Sequence, residues 1–482
     1  MQVAGRFGWA GPLSAWGSGA GPRLVDDRGR RLPKDRTLGR GPGTSGQVPL
    51  DGPPHRERLV EDFGGVLLVQ TRDDREQVPR RDDALIQEGS TTMTVTTPVE
   101  AARALAPLIR EHADTSERDR RIPAPVLQGL VDADFFRLFA PRALGGAEAD
   151  PLTVCRVVGE IAKVDGATAW CVMVGATYSL LGGLLPAEAA REIFSGPRSV
   201  VAGAFRLNWI ARAVEGGYVV SGRWSLGSGI EHATWVLGGC RVFDGEVPRQ
   251  GPNGGSVPLS AFFPKAEVEV LDTWRSAGLR GTGSHDYQVS ELFVPTHRTT
   301  WWSREPIAPG PLYTMPAVAL IATAIGSVSH GIARHAIDAV KELAAVKTPS
   351  RSVTVLRERP VTQAQLGEAE GLLRAGRAFL SESVEASWQT ARQGQRLTWE
   401  QRGLMWLAAT QATSLASRAV DLMFTAGGAS SVHASFPLER CLRDIRTAAQ
   451  HITVIPTNYE IAGQMFMGAD MEQTLWSVDS RT

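Results

Sequence analysis

The hydrophobic period changes twice along this chain, and that limits the folds open to it. From Pro98 apolar residues recur at helical spacing: Ala102, Leu105, Leu108 and Ile109 share one face, and Val126, Leu127, Leu130 and Val131 repeat it after the Ile122-Pro123 break. Two more helical stretches, Leu152 to Ala162 and Thr168 to Leu181, follow. Near residue 200 the pattern turns to short, partly alternating runs: Ser199 to Phe205, Ala213 to Ser221, Thr234 to Cys240, Leu259 to Pro264 and Tyr287 to Val294. Gly-rich and Pro-rich turns separate them, which predicts a small β-barrel or sandwich. From Met315 four helical stretches return, about 315–346, 361–394, 398–425 and 437–467, with Ala408, Ala412 and Ala419 small enough for close helix packing. The expected chain is mainly α with an inserted β-domain: an N-terminal helical domain at 93–198, a central β-barrel at 199–304 and a C-terminal four-helix bundle at 305–482.

Residues 1–92 fit neither period. Gly, Pro, Arg and Asp dominate there, and apart from Val66 to Gln70 little apolar surface offsets the entropy of ordering, so the segment is expected to be disordered or an upstream extension. In the second case Met93 is the natural start, which N-terminal sequencing of the native protein decides.

Charge narrows the function. Acidic and basic residues balance at 51 each, so no overall field draws the protein to nucleic acid or an anionic membrane. No run of about 18 uninterrupted apolar residues and no signal-peptide order is seen, and the four cysteines form no CxxC pair. These features predict a cytoplasmic protein without a zinc or disulfide framework. His330 and His335 lie five apart on a helix, on different faces, which argues against a metal pair. No GxGxxG follows a strand, so a nicotinamide-binding unit is missing.

Five segments in order carry a resemblance: Pro141 to Gly146 (PRALGG), Gly217 to Gly229 (GYVVSGRWSLGSG), Gly278 to Ser284 (GLRGTGS), Ala426 to Gly428 (AGG) and Arg440 to Arg446 (RCLRDIR). Together with the helix, strand, helix order they resemble the acyl-CoA dehydrogenases. In many of those enzymes a glutamate about a dozen residues past the first arginine of the last segment removes a substrate proton; here that stretch has no carboxylate, and His451 stands within about one position of it. Asp165 to Trp170 (DGATAW) and a histidine in this region are instead similar to the two-component flavin monooxygenases of the same fold, such as the oxygenase components of hydroxyphenylacetate hydroxylase and dibenzothiophene monooxygenase.

The resemblance implies reduced FMN or FAD delivered by a separate flavin reductase, dioxygen activated as a flavin 4a-hydroperoxide, hydroxylation of an aromatic or other electron-rich small molecule, and a homotetramer. It makes His451 and Ser228 the catalytic candidates. Ser228 takes the place of a hydroxyl within reach of flavin nitrogen 5, and an imidazole can donate to a peroxide oxygen or accept a phenolic proton near neutral pH. Trp224, Arg280, Ser284, Gly427 and Gly428 are the further cofactor candidates, the two glycines by letting a helix end approach phosphates. Arg351 resembles an arginine that opens a cofactor segment whose remainder is absent here. Trp170 and Tyr178 are candidates for the substrate side, with Asn208 and Trp209 in Ala204 to Ile210, a segment that replaces a Pro-x-Gly of many relatives. Plain alternatives stand beside these: a polar turn serine, a core Trp224, a solvated Arg280 and simple helix packing for Trp170 and Tyr178. Two other functions remain open, an acyl-CoA dehydrogenase with its base on Glu368, Glu370 or Glu460, and a cofactor-free binding protein on the same scaffold.

Overall fold

Thr97 opens the first helix with a reciprocal cap, its hydroxyl accepting from the Glu100 N–H while the Glu100 carboxylate accepts from the Thr97 N–H. The computed structural model describes residues 96–251 and 254–471, so the expectations for residues 1–92 lie outside the described residues. Five helices come first: α1 (Pro98–Asp119), α2 (Ala124–Asp132), α3 (Pro151–Ala162), α4 (Gly166–Tyr178) and α5 (Ala187–Phe194). Asp150 caps α3 and Asp165 caps α4, each carboxylate accepting an N–H three residues on. Every residue of α4 is buried, as its lack of a polar face requires.

The central strands are β1 (Val201–Val214), β2 (Gly217–Gly227), β3 (Trp235–Asp244), β4 (Val247–Pro248), β5 (Pro258–Pro264), β6 (Glu269–Leu271), β7 (His285–Pro295) and β8 (Thr299–Thr300). They form one sheet ordered β6-β7-β2-β1-β3-β5-β8, with β4 paired to β3. The expected barrel is not closed. Among the described residues β6 pairs only with β7 and β8 only with β5, and edges of three and two residues offer no ladder with which to join. β1 is also longer than its alternation implies, because the segment 204–209 is absorbed as an irregularity in its parallel pairing with β3. A second core fills the sheet's inner side around Val220, Trp224, Val236, Phe263 and Tyr287.

The remaining helices are α6 (Ala317–Val346), α7 (Pro360–Arg392), α8 (Trp399–Gly427), α9 (Pro437–Ala448) and α10 (Thr457–Phe466). Small residues set their spacing. A side chain on Gly376 of α7 would stand 3.1 Å from the Ala412 Cα of α8, and one on Gly331 of α6 would stand 2.5 Å from the Gly159 carbonyl of α3. By length and composition α6 is apolar enough to cross a membrane, yet most of it is buried against α3, α8 and α9. The four-helix bundle needs one correction: its fourth helix is two. α9 ends at Ala448, a turn covers 449–456, and Pro456, which lacks an N–H, stands directly before α10.

Candidate active site

Four of the candidates meet where α4, the turn after β2, the segment before β7 and the turn after α9 come together. The Trp170 indole N–H of α4 donates to the Ser228 hydroxyl at 3.2 Å, and the Ser228 and Ser284 oxygens lie 2.7 Å apart. Trp170 presents its ring edge-on to His451, with centroids 5.8 Å apart. Ser228 and Ser284 are buried, while His451 is half-buried in the turn after α9 and not on a helix. Glycine makes the Ser228 turn possible: Gly229 has φ 77°, and a β-carbon on it would stand 3.0 Å from the His232 ring.

Burial lowers the His451 imidazole to about 4, so it is neutral near pH 7. Its Nδ1 accepts the Thr453 N–H at 3.3 Å and lies 2.9 Å from the Thr453 hydroxyl. An Nδ1 that accepts carries no hydrogen, which assigns the proton to Nε2 and makes that nitrogen a donor.

Tyr178 is two helical turns along α4 from Trp170 and starts an aromatic wall. Its ring meets Phe205 of β1 edge-on at 4.7 Å, and Phe205 lies 4.3 Å from Trp302, centroid to centroid. Phe205 and Trp302 were missed by sequence reasoning. Phe205 lies inside the quoted 204–210 segment, but no spacing distinguished it from Asn208 and Trp209, and Trp302 belongs to a connector without periodicity.

Several candidates lie elsewhere. Trp224 fills the sheet's inner core, stacked on Tyr287 at 5.4 Å with its N–H on the Gly239 carbonyl at 2.8 Å, so its indole has no face left for a flavin ring. Trp209 packs edge-on against Trp224 at 6.4 Å on that same side, and Asn208 is exposed on β1; neither joins the Trp170 group. Arg280 is half-exposed and 3.7 Å from Glu117. Gly427 and Gly428 end α8 at its carbonyl pole, where the Lys347 ammonium donates to the Gly427 carbonyl at 2.7 Å and to Ser430 at 2.8 Å. Within one copy of the chain these glycines therefore close a helix at its acceptor end, and Gly427 also begins the short turn Gly428–Val432. Arg351 is exposed, with φ 64°.

Two comparisons of sequence bear on this geometry. Residues 99–185 match the family model described as acyl-CoA dehydrogenase, N-terminal domain, and residues 323–456 the one described as acyl-CoA dehydrogenase, C-terminal domain. Indole-3-acetate monooxygenase of Pseudomonas putida is 29% identical over 371 residues, 76% of this chain and 93% of that protein. The flavin-dependent monooxygenase oxygenase subunit HsaA of Rhodococcus jostii is 29% identical over 384 residues, 77% of this chain and 98% of its own. Among solved structures, XiaF from Streptomyces sp. in complex with FADH2 and glycerol superposes with a TM-score of 0.72 at 28% identity, covering 77% of this chain and 95% of XiaF. The chain belongs to the flavin-dependent monooxygenases of the acyl-CoA dehydrogenase fold.

In this oxygenase the arginines and aspartate of the last resembling segment act as a structural hub. Arg440 and Arg443 of α9 converge on Glu117 of α1 at 2.5 and 2.7 Å, and Arg443 also donates to the Ala277 carbonyl at 2.7 Å. Asp444 accepts the Leu279 N–H at 2.6 Å, which pins the start of the segment carrying Thr282 and Ser284. Burial, and then the nearby Asp165 carboxylate, raises Asp444 to about 7. A separate cleft of about 590 Å³ between α1, α6 and α9 includes Asp165 and Asp444 but has neither Trp170, Ser228 nor His451 on its walls.

The glutamates considered as alternative bases sit poorly for that task. Hydrogen bonds from Arg334 at 2.7 and 2.8 Å hold Glu370 down to about 2, Glu368 is paired with Arg418, and Glu460 is exposed on α10.

Histidine burial has a consequence for stability. His232, His330, His335 and His451 are each lowered by burial to about 4, against about 6.5 in an unfolded chain. Between those values the unfolded form binds protons that the folded form refuses, so stability falls as pH falls through the window. Asp444 and Asp165 are raised and act in the opposite sense, being stabilising at low pH, but the four imidazoles outnumber them. The melting temperature at pH 5 is expected to be at least about 3 °C below that at pH 7 by calorimetry. A higher value at pH 5 would contradict this assignment.

Proposed function

We propose that this oxygenase takes reduced FMN or FAD from a separate flavin reductase and hydroxylates an aromatic small molecule with dioxygen. The observation that carries the reading is the convergence of Ser228 and His451 on Trp170, which brings one hydroxyl and one neutral imidazole to the same indole. The donor set fits a flavin: Ser228 lies between two glycines that let a ring approach the backbone, and Ser284 backs it. When bound, reduced flavin supplies the two electrons that activate oxygen. Ser228 would hold the ring edge, and the His451 Nε2–H would donate to an oxygen atom or orient a substrate hydroxyl. Tyr178, Phe205 and Trp302 exclude water and offer edges to an aromatic substrate.

The names of the relatives support an aromatic substrate and a reductase partner: one acts on indole-3-acetate, and another is called an oxygenase subunit. Electrophilic oxygen transfer favours electron-rich rings such as phenols and indoles.

A homotetramer is part of the proposal. Val432, Ile452, Phe466 and Met467 are exposed apolar residues of the C-terminal helical region, and Ile452 adjoins His451, so a second copy would cover the outer side of the site. Light scattering reads the assembly.

The deciding experiment mixes the protein anaerobically with reduced FMN or reduced FAD, admits labelled dioxygen and screens phenols and indoles for incorporated label. Label in a product supports the reading. Bleaching of oxidised flavin by an acyl-CoA thioester under nitrogen, with no label in any aromatic, overturns it in favour of a dehydrogenase.

A further inference from the structure

The hydroxyls behind Ser228 form a chain with a determined direction. Thr282 Oγ1 lies 2.8 Å from the Leu279 carbonyl oxygen, which can only accept, so the single Thr282 O–H is donated there. Ser284 Oγ is 2.6 Å from Thr282 Oγ1 and therefore donates to it. Ser228 Oγ is 2.7 Å from Ser284 Oγ and, by the same step, donates to Ser284. The Trp170 N–H can only donate and is 3.2 Å from Ser228 Oγ. From Trp170 to Leu279 every hydrogen points the same way, and Ser228 keeps one lone pair and no hydrogen for anything in the site. The end of the chain is fixed in turn, because the Leu279 N–H is held by Asp444 at 2.6 Å.

We infer that Thr282 and Ser284 are positioning residues that hold Ser228 as a hydrogen-bond acceptor, so that the site selects the reduced flavin ring over the oxidised one. The inference rests on the flavin reading above, with Ser228 facing nitrogen 5. In the reduced ring that nitrogen carries a hydrogen and donates to the free lone pair of Ser228. In the oxidised ring it offers only a lone pair, and two acceptors face each other without a hydrogen between them. An oxygenase without a nicotinamide site gains from this, because reduced flavin enters and oxidised flavin leaves.

The chain also states what each deletion does. Ser284→Ala removes the acceptor to which the Ser228 hydrogen is committed, and that hydrogen turns toward the oxidised ring. Thr282→Val keeps the shape but removes the hydroxyl that orients Ser284, which then donates to Ser228 and releases the Ser228 hydrogen in the same way.

The test measures Kd for reduced and oxidised FMN and FAD, anaerobically, with the full chain and the two variants, folding being checked by circular dichroism. The wild type is expected to bind the reduced form more tightly, and the ratio of oxidised to reduced Kd is expected to fall roughly tenfold in each variant, the scale of one hydrogen bond. The midpoint potential of bound flavin reports the same ratio independently. An unchanged ratio in both folded variants overturns the inference and leaves the flavin reading standing. Equal affinity of the wild type for both forms does the same. A wild type that binds neither form in either redox state overturns the flavin reading and the inference together.

Discussion

Replacing His451 by alanine is expected to reduce hydroxylated product by roughly a hundredfold or more, the usual scale of a lost proton-transfer group, while oxygen is still consumed and appears as hydrogen peroxide. The imidazole is neutral near pH 7 because burial lowers it to about 4, and its Nδ1 is occupied by Thr453, so Nε2–H is what the variant removes. Trp170 still donates to Ser228 in this variant, so the change is confined to one donor. His451→Asn retains an N–H and is expected to recover part of the coupling. Because the group stays neutral across the working range, the coupling ratio should not vary with pH between about 6 and 8 through this residue. Product and peroxide quantified against oxygen uptake give the answer; wild-type coupling in His451→Ala would remove the residue from the site.

The largest structural loss is expected from Gly278→Ala. A β-carbon there would stand 2.1 Å from the Arg443 carbonyl oxygen and 2.6 Å from the Asp444 nitrogen, both backbone atoms that no rotamer change can move. Neither side can retreat easily: Arg443 is tied to Glu117 at 2.7 Å, and Asp444 holds the Leu279 N–H at 2.6 Å. The substitution therefore costs about 3 kcal/mol or more, at the upper end for overpacking. It also releases the segment that carries Thr282 and Ser284, so flavin affinity falls together with stability. Gly245→Ala provides the contrast. It has φ 61° but open space around it, and left-handed backbone alone costs about 1 kcal/mol. Chemical denaturation of the two variants side by side distinguishes them, and equal midpoints would show that the α9 contact is not rigid.

Much of this architecture was legible because it is written in local periodicity. Helices from Pro98 to about 181, strands from about 200 and helices from about 317 follow the change of apolar spacing. What failed depends on contacts between distant residues. Whether a sheet closes is decided by its two edges, and nothing local to β6 or β8 shows that each has a single neighbour. Trp224 belongs to an alternating strand, yet only the register with Tyr287 of β7 shows that its ring faces the sheet's core. Gly427 and Gly428 were recognisable as a helix end, but not as a carbonyl end occupied by Lys347. Trp170, Ser228 and Ser284 could be named because each lay in a recognisable motif, and His451 from its distance past the Arg440 segment. Thr282 lay in one of those segments and went unnoticed, because its importance is the direction of a hydrogen bond.

The break between α9 and α10 bears on how such a scaffold changes trade. His451 belongs to a turn, so no helical backbone ladder depends on its side chain: its N–H donates to the Ala448 carbonyl, its carbonyl accepts the Val454 N–H, and its ring meets the Thr453 hydroxyl. A side chain at such a position can be exchanged without rebuilding the helices on either side, so this corner can take on a different polar group while the surrounding framework keeps its packing.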